Sequence, residues 1–209
     1  IETVVTAPYE LSGLKCDMIL STLPITADVP VVFISNFISN TDRQAISDVI
    51  RRLKAGREKE RLLGLLQTLI DAELFTPSAS YNDRESAIRA IGETMRSHGI
   101  ISQEFIESAL ERENISPTNF GLIAIPHPSD CRATRSAIAV SLLRRPLLWG
   151  TSNVRIIFMI SVSKSDLSDF SDIFSYLPRV CSDYKNLEQL ASASCYEEFI
   201  RILGNICAE

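Results

Sequence analysis

The sequence predicts an α/β protein in which a mixed β-sheet is flanked by helices and preceded by a partial, smaller α/β unit. Two near-continuous apolar runs, Ser136 to Leu143 and Val154 to Val162, read as strands buried on both faces, so helices must cover the sheet above and below. Capped amphipathic segments alternate with such runs and supply those helices. With 209 residues and 45% apolar composition, the chain can bury one good core plus a smaller neighbour.

In chain order, Thr3 to Thr6 is strand-like, and the start at Ile1 without an initiator Met reads as a piece of a longer polypeptide. Asp17 to Thr22 and Val29 to Ser35 are short β-rich runs of the kind found in parallel sheets. Thr41-Asp42-Arg43-Gln44 has the capping-box pattern, followed by Ala45, Ile46, Val49, Ile50 and Leu53 on one helical face. Residues 1–56 form this first unit. The charged stretch Lys54 to Arg61 marks the boundary and reads as a solvated helix face. Residues 57–73 read as a linker helix with a wide stripe of Leu62, Leu63, Leu65, Leu66, Leu69 and Ile70. Core packing is the favoured use of that stripe, with a linker or a homodimer contact as alternatives.

The second unit spans 74–209. Asn82, with Glu85 three residues on, is expected to cap a helix that buries Ala87, Ile88, Ile91 and Met95 and stops at Gly99. His98 in its last turn suits the negative end of the helix dipole, which explains it without catalysis. Ser102 is expected to cap a helix burying Phe105, Ile106, Ala109 and Leu110 and delivering Arg112 at its end. Leu122 to Ile125 reads as a buried strand stopped by Pro126, which has no N–H for the next ladder bond. Arg144 to Asn153 separates the two long β runs. Leu167, Phe170, Ile173, Phe174 and Leu177 share a helical face, and Leu187, Leu190, Phe199, Ile200 and Leu203 continue the pattern, with Pro178 interrupting.

Composition narrows the function. A net charge of −5 offers no basic face for phosphates, so direct nucleic-acid binding by this chain is not expected. Five cysteines, Cys16, Cys131, Cys181, Cys195 and Cys207, show no paired Cys-x-x-Cys spacing for zinc or redox work and read as mostly buried thiols of a cytoplasmic protein. No metal or other cofactor is implied. No apolar run approaches the ~18 to 20 residues of a membrane span, and the start lacks a secretory signal pattern.

The chemistry centres on His127, in Ile-Pro-His-Pro at the end of the predicted strand. Two prolines stiffen the backbone around it, and an imidazole with a free pKa of ~6.5 keeps a useful neutral, nucleophilic fraction near neutral pH. Glu111-Arg112-Glu113, Ser116-Pro117-Thr118, Ile123-Ala124-Ile125-Pro126-His127 and Pro146-Leu147-Leu148-Trp149 together resemble the mannitol/fructose-type enzyme IIA domains of the bacterial sugar phosphotransferase system. The resemblance runs from Phe105 to Phe158 and more weakly to Phe199-Ile200. The first 56 residues are similar to the C-terminal part of an enzyme IIB-like domain, as fused before enzyme IIA-like domains in sugar-responsive transcription regulators and antiterminators. The phosphate loop with the reactive cysteine of such a domain is absent, and Cys16 reads as core.

This resemblance implies that His127 accepts a phosphoryl group from the phosphocarrier protein HPr and that Arg112, fifteen residues upstream, clamps it; a guanidinium fork suits phosphate geometry. Thr118 and Ser129 are candidate hydroxyl donors to the phosphoryl oxygens. Transporter-type members often carry a second histidine in the segment that here reads Ser163 to Asp169; Asp169 falls nearest that position and is a candidate for orienting the imidazole. A carboxylate there would also repel an incoming phosphoryl group. A regulatory phosphohistidine domain is therefore the expected function. The rivals are a transport component that passes phosphate on to enzyme IIB and a docking module without chemistry.

Overall fold

The computed structural model describes Val4, residues 15–130 and residues 133–208, the side chains of 167–169, 207 and 208 excepted. The expected strand at Thr3 to Thr6 lies outside the described residues, apart from Val4. The chain divides into two compact units, Ile1–Lys59 and Glu60–Glu209.

In the first unit β1 (Ile19–Ser21) and β2 (Val31–Phe33) pair in parallel, Ile19 opposite Val31. They are the cores of the two longer runs read from the sequence. Helix α1 (Asn40–Leu69) begins earlier than the Thr41–Gln44 pattern indicated, because Ser39 and Asp42 form the reciprocal cap. The Asp42 N–H donates to Ser39 Oγ at 3.1 Å, and Asp42 Oδ2 accepts the Ser39 N–H and hydroxyl, both at 2.8 Å. These bonds, the Ser39 backbone N–H first, hold the Asp42 carboxyl below the usual range.

The second unit is built on a five-stranded mixed sheet in the order β3-β6-β7-β5-β4. Its strands are β3 (Ile70–Ala79), β4 (Asn119–Phe120), β5 (Ile123–Ala124), β6 (Ala137–Trp149) and β7 (Ser152–Ser161). β3 runs parallel to β6 and β5 parallel to β7, while the β6–β7 and β4–β5 pairs are antiparallel. The pleat of the two central strands sorts their side chains onto opposite faces. Ile138, Val140, Leu142, Phe158 and Ile160 face a core closed by Leu62, Leu66 and Leu69 of α1 and by α4 (Leu167–Val180), α5 (Tyr184–Ala191) and α6 (Tyr196–Ala208). Ala137, Ala139, Trp149, Ile157 and Met159 face the other, closed by α2 (Arg84–Ser97) and α3 (Gln103–Ile115). Leu62, Leu66 and Leu69 of the leucine stripe thus lie inside this core, and Leu63 and Leu65 pack partly buried against it.

Several details depart from the sequence reading. The helix expected over 57–73 ends at Leu69, and Ile70 opens an edge strand that alternation did not signal: β3 pairs with two register shifts and Ser78 adopts φ 54°. β6 does not stop at Leu143. A register irregularity between Leu142 and Leu147 absorbs Arg144 to Pro146, a position that tolerates a proline without an N–H, and the strand then continues to Trp149. The expected loop shrinks to a turn at Gly150, where φ is 63° and a Cβ would lie 2.9 Å from Pro117. The cap of α2 is Asp83 paired with Ser86, one residue later than expected, and β5 is trimmed to two residues because Gly121 (φ 58°) turns the chain back from β4. Pro178 sits in the last turn of α4, which ends at Val180.

Candidate functional site

His127 follows β5 in an extended segment tied on both sides. The Ile125 N–H donates to the Thr118 carbonyl at 3.0 Å, and the Ile160 N–H of β7 donates to the Pro126 carbonyl at 3.1 Å. The ring is half-buried, and its Nδ1 lies 2.7 Å from the Ile125 carbonyl oxygen. A carbonyl only accepts, so Nδ1 carries the hydrogen and Nε2 carries the lone pair. Phe174 of α4 packs edge-on against the imidazole, ring centroids 4.8 Å apart. Burial pushes the His127 pKa below 6.5; the Arg112 charge acts in the same direction, while the Ile125 carbonyl and the Glu113 charge oppose it.

Arg112 stands in the last turn of α3, half-buried, with Nη1 donating to the Ser116 carbonyl at 2.9 Å. The fold therefore brings Arg112 and His127 into one electrostatic neighbourhood. Thr118 is buried, and its hydroxyl hydrogen is donated to Glu113 Oε2, so that hydrogen is already committed. Ser129 is exposed two residues beyond His127. Asp169 lies in the first turn of α4, and its side chain is outside the described residues. In the same segment the Asp166 carboxylate accepts hydroxyls from Ser136, Ser163 and Ser165, Ser136 foremost, which hold it below the usual carboxylate range.

His98 caps the end of α2, with Nδ1 2.8 Å from the Thr94 carbonyl and Nε2 3.4 Å from Glu73 Oε2. Cys16, expected in the core, is only half-buried, while Cys181 is buried and Cys195 exposed; Cys131 and the Cys207 side chain lie outside the described residues. Among the described residues no group of three or more His, Cys, Asp or Glu is placed to hold a metal ion, and no helix is long and apolar enough to cross a membrane.

Glu113 and Phe174 were not among the site residues read from the sequence. Glu113 carried a signal, since it falls three residues after Leu110 and four after Ala109 on the buried stripe of α3, where a charge is out of place. Phe174 gave none, because an aromatic on an apolar helix face looks like any core residue.

Residues 68–206 match the family described as the phosphoenolpyruvate-dependent sugar phosphotransferase system, EIIA 2. The chain belongs to this family. It is 28% identical over 192 residues to the probable licABCH operon regulator of Bacillus subtilis (strain 168), an alignment covering 90% of this chain and 28% of that protein. The chain thus spans little more than a quarter of that regulator's length. It is also 28% identical over 130 residues to the mannitol-specific phosphotransferase enzyme IIA component of the same organism, covering 60% of this chain and 89% of the component. Among solved structures, the complex of enzyme IIAMTL and phosphorylated enzyme IIBMTL from Escherichia coli contains a chain that superposes with a TM-score of 0.58 at 21% identity, covering 66% of this chain and 99% of that one. That likeness shows the fold, a mannitol-type EIIA sheet with helices on both faces.

Proposed function

We propose that the chain is the phosphoryl-accepting region of a sugar-responsive transcription regulator, with Nε2 of His127 as the acceptor. The observation that carries this is the 2.7 Å bond from Nδ1–H to the Ile125 carbonyl, which leaves the Nε2 lone pair free on a rigid segment. In transfer from the phosphohistidine of HPr, the Nε2–P bond forms as the donor N–P bond breaks, and the bonding pair returns to the donor nitrogen. No proton has to leave Nε2. The acceptor ring keeps its Nδ1 hydrogen and takes on positive charge, while Arg112 faces the phosphoryl oxygens.

The regulatory reading is favoured over transport by coverage: the match to the operon regulator takes in 90% of the chain, whereas the match to the enzyme IIA component takes in 60%. The parallel β1–β2 pair followed by α1 fits the C-terminal part of an enzyme IIB-like domain ahead of the EIIA unit. HPr is the partner this reading requires, the cytoplasm the compartment, and any nucleic-acid contact belongs to other parts of the whole protein. The transport reading draws on the 89% coverage of the mannitol component.

Incubation with phosphoenolpyruvate, enzyme I and HPr tests the proposal. One acid-labile phosphate on His127, absent in His127→Ala, is the expected result. A folded chain that takes up none from active phospho-HPr overturns it. Slow onward transfer to an enzyme IIB is expected; rapid transfer would favour the transport reading.

A further inference from the structure

We propose that Glu113 is a positioning residue for His127: it anchors, through Thr118 and Ile125, the carbonyl that holds the imidazole, and it sets a buried negative charge near the ring. This rests on His127 as the phosphoryl acceptor. Glu113 is 1% exposed. Its Oε1 accepts the Thr118 N–H at 2.7 Å and the Trp149 Nε1–H at 2.6 Å, and its Oε2 accepts the Thr118 hydroxyl. Nη1 of Arg84, which also reaches the Glu113 carbonyl at 3.4 Å, lies 4.0 Å from Oε1.

From Thr118 the connection continues to the ring. The Thr118 carbonyl accepts the Ile125 N–H at 3.0 Å, and the Ile125 carbonyl accepts Nδ1–H of His127 at 2.7 Å. Three hydrogen bonds and two intervening residues therefore link carboxylate to imidazole. Packing alone does not account for this carboxylate. It is desolvated, and it sits in the last turn of α3, where the helix dipole disfavours negative charge. An apolar side chain there would leave the Thr118 N–H and hydroxyl and the Trp149 Nε1–H unpaired, so the carboxylate is what ties Thr118 in place.

The charge has a use in the transfer step. As Nε2 gives its lone pair to phosphorus, the ring becomes positive. Arg112 stabilises the phosphoryl oxygens but disfavours that ring charge; Glu113 offsets it, consistent with their opposite effects on the basicity of His127.

The test is Glu113→Gln in the full chain, read by 15N NMR of His127 and by the rate of phosphorylation from phospho-HPr. The isosteric amide removes the charge and puts a donor where donors converge. The expected results are a lower titration midpoint for His127, a smaller Nδ1–H fraction and transfer slowed by about tenfold or more. Trp149→Phe is the control, since it removes one donor to Glu113 but leaves the charge and the Thr118 link; it should lower the melting temperature and leave the midpoint in place. Thr118→Val, which loses one link and keeps the carboxylate, should reduce the Nδ1–H fraction and lower the midpoint by less than Glu113→Gln does, because the Ile125 carbonyl is loosened while the charge stays; it decides the matter if Glu113→Gln does not fold. A folded Glu113→Gln with wild-type midpoint and tautomer overturns the proposal, as does a Trp149→Phe variant whose midpoint falls equally. The NMR readouts need no phosphate. If they change as expected in a chain that never accepts phosphate, the functional reading fails and the positioning role stands.

Discussion

Gly92→Ala tests the packing that places Arg112 and Glu113. Gly92 lies on the buried face of α2, and a Cβ there would come 2.7 Å from Cγ1 and 3.0 Å from Cδ1 of Ile106 on α3. Ile106 is 2% exposed, so it has little room to yield. Overpacking of this kind costs about 1–3 kcal/mol, whereas alanine in place of glycine in a helix interior gains about 1 kcal/mol. The net is a destabilisation of up to about 2 kcal/mol, which for a protein of this size lowers Tm by up to about 8 °C. Thermal unfolding followed by circular dichroism measures it. Ile106→Ala removes all three atoms that the new methyl would meet and by itself costs about 2–5 kcal/mol. In the double variant the methyl added at position 92 occupies part of the vacated space, so the pair should be more stable than the sum of the singles by about 1 kcal/mol or more. A neutral or stabilising Gly92→Ala with additive behaviour in the double variant would refute close α2–α3 packing at this point. Because α3 carries Arg112, the single variant should also slow phosphorylation of His127, and the double should recover part of that rate.

Replacing Arg112 with alanine should leave the fold intact, slow phosphorylation by about tenfold or more, and raise the titration midpoint of His127, because the guanidinium charge lowers it; an unmoved midpoint would remove Arg112 from the neighbourhood of the ring. Phosphorylation should plateau above about pH 6.5 and decline as pH falls through the lowered folded pKa, where Nε2 becomes protonated. The stability contribution has the same sense. With the folded pKa below the unfolded value, the unfolded chain binds more protons, so the contribution is complete above about pH 6.5 and is lost as pH falls through the folded value. Urea unfolding of wild type and His127→Gln between pH 5 and pH 8 should show the wild type losing more stability toward acid; equal slopes would contradict it. His98, held at the end of α2 by Thr94 and Glu73, should take up no phosphate when His127 is replaced, as peptide mass spectrometry would show.

The sheet-and-helix architecture and the place of His127 were legible because each is written locally. The buried faces of α2 and α3 follow the helical period, β6 and β7 are continuous apolar runs, and the prolines beside His127 fix an extended backbone without tertiary help. The short parallel pair β1–β2 was legible for the same reason. The edge strand β3 was not, since an edge strand with Ser78 at positive φ and two register shifts keeps no alternation to read. Nor was the full length of β6, because a pattern reader stops at Arg144-Arg145-Pro146, whereas β7 holds Leu147 to Trp149 in register on the far side of the irregularity.

The sequence by itself determined the family, the position of the proposed acceptor His127 at a strand end and the helix end that carries Arg112, all encoded within short stretches of chain. The tertiary structure alone decided which imidazole nitrogen is free, that Phe174 covers the ring, and that Glu113 is buried under Thr118 and Trp149. The reason is sequence separation. Glu113 and Trp149 are 36 residues apart and meet only because sheet order carries the end of β6 to the end of α3, and no local periodicity records which carbonyl a ring nitrogen will find.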